Sequence, residues 1–200
     1  MGIPLANESQ LANVILSSVE LKDGSRITIR VMRPEDAGIE QDFVRRLSAR
    51  SKYLRFFSGL KQLSPRMLEK LTNPEYPESY ALLAIASDGE QEQEIGVARY
   101  APTGSAGVAE FAVVVADEWQ GLGVASLLLH GVIAAATVAG IGRLEGLVLR
   151  ENDRMMKLSQ KLGFRATRCP DDDPAVVRVS MILQAPVRDP NQQNNANQRS

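Results

Sequence analysis

The strongest constraint on the fold is one segment, residues 113–125, which leads from a run of β-branched residues through a glycine-containing turn into an uncharged stretch. The order VVVADEWQGLGVA predicts a buried strand, a short turn and the beginning of a helix. Gly121 and Gly123 let the backbone approach a ligand closely. Because the free N–H groups and the dipole of a helix N-terminus attract anions, the turn suits a pyrophosphate. The segment therefore predicts an α/β fold with an anion site between a strand and a helix.

Two common nucleotide-binding motifs are excluded at this turn. A Walker A loop would continue with Gly-Lys-Ser/Thr, which does not follow here. A dinucleotide fingerprint would place Gly or Ala where the chain has Ser126, and an acidic residue after the next strand, where the chain has Arg150. Other nucleotide-containing ligands remain open, and the alternative is a tight turn that only packs a helix.

Hydrophobic periodicity and helix caps extend the pattern along the chain. Alternating or β-branched runs predict strands at residues 26–32, 80–86, 94–100, 107–115, 143–149, 164–168 and 176–183. Capping and turn residues predict helices at 34–47, at 65–73, after Gly121 and at 152–162. We expect one mixed α/β domain over residues 21–184, with an N-terminal extension (1–20) and a disordered C-terminal tail (185–200) rich in Asn and Gln.

Composition excludes several classes of protein. Hydrophobic residues make up 44% of the 200 residues and charged residues 24%, which is typical of a globular domain. A formal charge of −1 argues against general attraction to nucleic acid or anionic lipid. The single Cys169 and the single His130 exclude a disulfide framework and a Cys/His zinc cluster. The first twenty residues hold neither Lys nor Arg, so no secretory signal is indicated, and we expect a cytoplasmic protein without a metal.

A membrane span is also not expected. Residues 121–142 are uncharged, but five of them are glycines, so the stretch is only weakly apolar. It predicts a buried helix packed on a sheet.

Two motifs resemble those of the GNAT superfamily of acyl-CoA-dependent N-acetyltransferases. The segment QGLGVA (120–125) is similar to the Gln/Arg-x-x-Gly-x-Gly/Ala signature, and ENDRMM (151–156) followed by KLGF (161–164) resembles the second signature. Within the superfamily, LSARSKYLRFF (47–57) and AEFAV (109–113) are similar to the acetyltransferase domain of bacterial protein lysine acetyltransferases. The resemblance covers roughly residues 21–183. It implies a central, mostly antiparallel sheet with one splayed parallel pair, flanked by helices.

The resemblance also implies acetyl-CoA as cosubstrate and assigns residues to its parts. The pantetheine arm would lie along the strand before the turn, where backbone groups can pair with its amides like an added strand. Asn152 would bind the same arm, and the alternative is a simple helix N-cap. The expected acetyl-CoA-binding residues are Val113, Val114, Val115, Gln120, Gly121, Leu122, Gly123, Val124, Ala125, Ser126 and Asn152.

Acetyl transfer to an amine needs a base for the amine proton and a donor for the oxyanion of the tetrahedral intermediate. Glu110 is the candidate base, because a regular pleat places it on one face with Val108, Ala112 and Val114, where burial should raise its pKa. The strand from Glu110 to Ala116 covers about 20 Å, a reach similar to that of a pantetheine arm. The resemblance implies the same role for Glu110. Many relatives carry a tyrosine as general acid where this chain has Ser159, so the proton donor for the leaving thiolate stays open.

The acceptor is less constrained than the chemistry. A protein lysine is the favoured acceptor, and the resemblance suggests an acyl-CoA synthetase among the targets. The alternatives are a small amine, a non-catalytic acyl-CoA-binding module, and nucleic-acid binding through the basic, aromatic stretch 53–57.

The charge is unevenly distributed along the chain. Residues 43–70 carry eight basic residues and one acid, a net +7, so the rest of the chain carries −8. This cationic rim would receive either the phosphates of CoA or an acidic protein surface, or is ordinary solvated surface.

Overall fold

The computed structural model describes residues 17–88, 91–167 and 173–183. Its centre is one eight-stranded sheet with the order β1-β2-β3-β4-β5-β6-β8-β7. The strands are β1 Ser17–Glu20, β2 Arg26–Val31, β3 Tyr80–Asp88, β4 Gln91–Pro102, β5 Val108–Val115, β6 Arg143–Leu149, β7 Arg165–Thr167 and β8 Val176–Ile182. All neighbours are antiparallel except β5 and β6. The predicted mostly antiparallel sheet with one parallel pair is confirmed.

Helices cover both faces of the sheet. They are α1 Ala37–Arg46, α2 Ala49–Phe56, α3 Pro65–Thr72, α4 Val124–Val138 and α5 Asp153–Lys161, with 3-10 turns at Pro34–Asp36 and Asp117–Trp119. On one face Phe43 and Val44 of α1 pack on alternate residues of β3, β4 and β5. On the other face the apolar side chains of α4 form the larger cluster. Of the helices in the described residues, none combines the length and the apolar character that a membrane crossing needs.

One helix was missed by the sequence pattern. We predicted two helices before the strands of the meander, and the structure has three, because α2 fills part of the interval between α1 and α3. The hydroxyl of Ser48 accepts a hydrogen bond from the backbone N–H of Ser51 at 3.1 Å and caps α2. This N-cap was the available signal. The apolar periodicity of α2 is weak because half of its residues are charged or polar.

The parallel strands β5 and β6 diverge soon after they meet. They pair only over Val108–Glu110 with Arg143–Glu145, whereas β4 stays paired with β5 as far as Val115. The ring of Phe111 lies against Gly146, where a Cβ atom would come within 2.7 Å of the ring. The splay leaves one edge of β5 unpaired beyond Glu110, which gives the gap in which the candidate site lies.

Some predicted features fall outside the described residues. These are residues 1–16 of the N-terminal extension, Cys169, and the whole tail 185–200. Strand β1 pairs with β2 and lies within the last residues of the predicted extension.

Candidate active site

Glu110 stands where the parallel strands part. It is the last residue of β5 to pair with β6, opposite Glu145. The register with β4 is regular, and Val114 packs in the α1 cluster, so Glu110 points to the side of the sheet that carries α1 and α2. The predicted burial of Glu110 is wrong: its side chain is exposed. Glu110 lies near the beginning of β5, away from the end of the strand where Val114 is buried in the α1 cluster.

The carboxylate of Glu110 is not tied in an ion pair with any described residue. Its neighbour Glu145, by contrast, is buried and bound by Arg178 at 2.7 Å and by Arg143 at 3.3 Å. The two adjacent carboxylates therefore differ in their surroundings. Two arginines bind Glu145, and Glu110 has no ion-pair partner among the described residues.

Two arginines lie on the same side of the sheet as Glu110. Arg99 of β4 pairs with Ala112 of β5, so Arg99 lies diagonally across from Glu110, which is two residues before Ala112. Removal from water and then repulsion from Arg99 lower the pKa of Arg55 to about 10, and the carboxylates of Glu40 and Glu110 oppose this change. Arg55 thus stays a cation at neutral pH within the electrostatic reach of Glu110.

Arg99 is bound by a buried glutamate of α1. Its Nη2 atom donates to Oε1 of Glu40 in α1 at 2.8 Å, and its Nη1 atom donates to the carbonyl of Leu71 at the end of α3 at 2.8 Å. Burial, followed by the nearby carboxylate of Glu40, raises the pKa of the fully buried Glu94 well above its usual value. A hydrogen bond between the carboxyl groups of Glu94 and Glu40 acts on this pKa in the same direction.

The open edge of β5 runs from the candidate base to the glycine turn. Val113, Val114 and Val115 pair with Ala98, Val97 and Gly96 of β4, so only their other edge faces the gap. Amide groups of an extended ligand could hydrogen-bond there as an added strand would.

The turn after β5 ends in a helix whose N-terminus has no side-chain cap. Gly121 has φ +85° and Gly123, the N-cap of α4, has φ +101°. Residues other than glycine rarely adopt these backbone conformations. The N–H groups of Val124, Ala125 and Ser126 begin α4, and no side chain caps them. Together with Leu122 they form a concentration of backbone donors at the positive end of a 15-residue helix, which fits a pyrophosphate.

Gln120 fixes the position of this turn. Its Nε2 atom donates to the carbonyl of Val115 at 3.1 Å and to the hydroxyl of Ser51 at 3.2 Å, and its Oε1 atom accepts from Arg154 at 2.9 Å. It therefore connects β5 with α2 and α5.

A second contact joins the same turn to α2. Ser48 and Ser51 donate to the carboxylate of Asp117, at 2.8 Å and 2.9 Å from their hydroxyls. Desolvation tends to raise the pKa of Asp117, but the hydrogen bonds from Ser48 and Ser51 outweigh it and lower that pKa. As a result, the N-terminus of α2 is fixed beside the glycine turn.

Asn152 and Ser159 lie on α5, across the gap. Asn152 is the N-cap of α5, and its Oδ1 atom accepts from the N–H of Met155 at 3.1 Å. Its Nδ2 group makes no hydrogen bond within the described residues, so capping and ligand binding are compatible. Ser159 is buried, and its hydroxyl has no partner among the described residues.

The comparisons with known proteins agree with this geometry. A family model described as "Acetyltransferase (GNAT) domain" matches residues 26–165. The chain belongs to the GNAT acetyltransferase family. It is 34% identical over 157 residues to Acetyltransferase PA5475 of Pseudomonas aeruginosa, covering 78% of this chain and 84% of that protein. Acetyl-CoA dependence, which the two motifs implied, is therefore confirmed at the level of the GNAT family.

Two solved structures are also similar. The GNAT domain of S. lividans PAT matches with a TM-score of 0.75 at 31% identity, covering 84% of this chain and 97% of that one. yncA from Salmonella typhimurium, solved with its cofactor acetyl-CoA, matches with a TM-score of 0.63 at 16% identity, covering 82% of this chain and 98% of that one. The second likeness concerns the fold alone.

The structure adds residues that the GNAT motifs did not point to. Arg55, Arg99 and Glu145 surround Glu110, and Gly146 permits the splay. Arg55 lies in the stretch 47–57 that carries the resemblance, but its proximity to Glu110 depends on the packing of α2 on β5.

Two open cavities of about 500 and 580 Å³ border α5 and the β7–β8 edge rather than Glu110. No cluster of metal-binding side chains occurs within residues 17–88, 91–167 and 173–183.

Proposed function

We propose that this GNAT protein transfers the acetyl group of acetyl-CoA directly to the side-chain amine of a protein lysine, with Glu110 as general base. The observation that carries the proposal is the exposed carboxylate of Glu110, which has no ion-pair partner among the described residues and lies at the end of the β5–β6 gap. A base in that place can meet an acceptor that arrives from solvent.

The acetyl-CoA site proposed here uses the three features at the other end of the gap. Residues 120–126 would hold the pyrophosphate, the open edge of Val113–Val115 would bind the pantetheine amides, and Asn152 would donate its Nδ2–H to the same arm. From Glu110 to Ala116 the strand covers about 20 Å, so an arm along it would bring the thioester near Glu110.

The proposed reaction forms one bond and breaks one. Glu110 accepts a proton from the lysine ammonium, directly or through a water, and the neutral amine attacks the thioester carbonyl. The C–N bond forms and the C–S bond breaks. The nitrogen then loses its second proton to solvent, and coenzyme A leaves as the thiolate or takes a proton from water. Ser159 is not assigned a part, because its hydroxyl is buried away from solvent.

A protein lysine is favoured as acceptor by the resemblance to the acetyltransferase domain of bacterial protein lysine acetyltransferases. An acyl-CoA synthetase is one candidate target from the same resemblance. The exposure of Glu110 supports a large acceptor, since a small amine is more often enclosed in a pocket. The cytoplasmic location expected from the sequence belongs to this proposal.

The test is Glu110→Gln, measured by thiol release from acetyl-CoA with a lysine-containing peptide. We expect kcat to fall by about 10²–10⁴-fold, because the variant cannot accept the amine proton, with the KM for acetyl-CoA unchanged. Glu118→Gln, an exposed acid near the glycine turn, is the matched control and should keep full activity.

Three results would contradict parts of the proposal. Unchanged turnover in Glu110→Gln would remove Glu110 as base. Turnover of polyamines or amino acids, with none of any lysine peptide or protein, would assign a small-amine acceptor. Tight acetyl-CoA binding without thiol release in the presence of any amine would assign a binding module.

A further inference from the structure

The positive charge of residues 43–70 lies on the helices that border the candidate base. Helices α2 and α3 and the loop between them carry Lys52, Lys61, Arg66 and Lys70, which we call the basic face. None of these four side chains forms an ion pair with a described carboxylate. Three of them are exposed, and the ammonium of Lys52 is held by the carbonyls of Arg45 at 3.0 Å and Lys61 at 3.4 Å. The charge is therefore not balanced within the described fold.

Apolar side chains are exposed on the same helices. The described residues have four exposed large hydrophobic side chains, and three belong to this region: Tyr53 (40%), Phe57 (41%) and Met67 (37%). Tyr53 and Phe57 are four residues apart around the C-terminal end of α2. A surface that combines unpaired cations with exposed aromatic rings is typical of an interaction site.

Phe57 has an unusual backbone conformation. It is the C-cap of α2 with φ 54°, and it is the only non-glycine residue with positive φ in the described part of the chain. Glycine or asparagine would adopt this conformation at lower cost. A bulky side chain kept there, with its ring half exposed, indicates that the ring has a role outside the fold.

The basic face adjoins the place where acetyl transfer would occur. Arg55, near the end of α2, lies within electrostatic reach of Glu110. The end of α3 is joined to the same place, because the carbonyl of Leu71 accepts from Arg99, which lies diagonally across from Glu110 on the neighbouring strand. A polypeptide that presents a lysine to Glu110 would therefore lie across α2 and α3.

We propose that the basic face binds an acidic polypeptide segment next to the acceptor lysine, and so selects lysines flanked by Asp and Glu. This inference rests on the proposed function. A protein is favoured over a nucleic acid because the surface borders the candidate base, which needs an amine acceptor, and because the whole chain carries a net charge of −1.

The test uses three synthetic peptides, each with one central lysine. In the first, three Glu residues flank the lysine on each side; in the second, three Gln; in the third, three Arg. We expect kcat/KM to fall in that order, and the advantage of the Glu peptide over the Gln peptide to shrink as salt is raised.

Two double variants each reverse two positive charges, at different places on the surface. Lys61→Glu combined with Arg66→Glu reverses two charges of the basic face, whereas Lys22→Glu combined with Arg165→Glu reverses two exposed charges near the outer edges of the sheet. We expect the first pair to reduce kcat/KM for the Glu peptide about tenfold and the second pair to have no effect, with the KM for acetyl-CoA constant in both. Phe57→Asn should fold normally and reduce the same constant about threefold or more.

The outcomes separate this inference from the proposed function. Equal kcat/KM for all three peptides, or a preference that survives the Lys61→Glu and Arg66→Glu reversal, would overturn the acidic-segment proposal and leave lysine acetylation standing. Failure of every lysine peptide alongside turnover of a small amine would overturn the proposed function itself. Salt-dependent binding of a single-stranded oligonucleotide that the same reversal abolishes would assign the basic face to nucleic acid.

Discussion

Among single residues, Glu94 is the one whose environment departs furthest from what its chemistry favours. A register shift between β3 and β4 at Ala84/Ile85 makes Ile95 an extra residue, so that Glu94 lies opposite Ile85 on the α1 side of the sheet. There it is completely buried beside the carboxyl group of Glu40. The alternation of polar and apolar residues in the sequence could not indicate this, because the bulge reverses the face.

The raised pKa of Glu94 predicts a specific pH dependence of stability. The native state holds this proton more tightly than the unfolded chain does. The contribution of protonated Glu94 to the free energy of unfolding is therefore fully present below the usual glutamate pKa and is lost as pH rises through the raised native pKa. Glu94→Gln has no such loss. The difference in the free energy of unfolding, variant minus wild type, should therefore increase as pH rises, by at most about 1.4 kcal/mol per pH unit.

Urea unfolding of both proteins at pH 5, 7 and 9 measures this difference. Glu69→Gln, on exposed α3 surface, is the control and should show no such trend. A difference between wild type and Glu94→Gln that stays constant with pH would show that Glu94 is ionised in the native state over the whole range.

At the scale of elements, one tight packing contact lies where β5 and β6 diverge. The ring of Phe111 lies against Gly146 of β6, and its centroid is 4.7 Å from that of the tilted ring of Phe164. A Cβ at position 146 would meet three atoms of the Phe111 ring at 2.7 to 3.1 Å. The ring cannot move away freely, because it is buried in the α4 cluster.

Gly146→Ala should therefore destabilise the protein by about 1–3 kcal/mol, since a methyl group is forced into a filled space. The free energy of unfolding in urea measures this. Gly38→Ala is the control: it lies in α1 with nothing within 4 Å of the added Cβ, and should be neutral or stabilising by up to about 1 kcal/mol. A loss in Gly146→Ala no larger than in Gly38→Ala would mean that Phe111 repacks at little cost.

Local sequence patterns predicted the elements that depend on local physics. The run 143–149 coincides with β6, Ser64 and Pro65 begin α3, and Gly163 ends α5 with φ +95°. The glycine turn and its uncapped helix follow from residues 113–125 alone. The approach of Arg55 and Arg99 to Glu110, the exposure of Glu110 and the space beside Gly146 join residues far apart in the chain, so no local pattern could indicate them.

At the scale of the whole molecule, the sheet consists of two parts with a short seam. Within the described part of the chain, strands β1–β5 and strands β6–β8 pair only through three residue pairs between β5 and β6. Beyond the seam, two polar contacts between described side chains cross the gap: Arg50 with Glu151 at 2.9 Å, and Arg154 with Gln120 at 2.9 Å. A ligand that binds β5, the start of α4 and Asn152 at the start of α5 would connect both parts.

Acetyl-CoA should therefore stabilise the native protein as a whole. A ligand at one hundred times its Kd adds about 2.7 kcal/mol, which for a domain of this size raises Tm by about 5–10 °C. Gly123→Ala should abolish this rise, because a side chain at φ +101° moves the turn that would hold the pyrophosphate. Its own Tm will also be lower through backbone strain of about 1–2 kcal/mol, so the quantity to compare is the ligand-induced shift, measured by differential scanning calorimetry.

Gly140→Ala separates strain from binding in this experiment. Gly140 has φ +75° with nothing within 4 Å of an added Cβ, as at Gly123, but it follows the C-terminal end of α4, away from the turn. Both variants should lose similar stability without ligand, and only Gly140→Ala should keep the full shift with acetyl-CoA. If Gly123→Ala keeps the shift as well, the pyrophosphate does not depend on the glycine turn. If both variants lose the shift, general strain in α4 causes the loss, and acetyl-CoA does not connect the two parts of the sheet through the glycine turn.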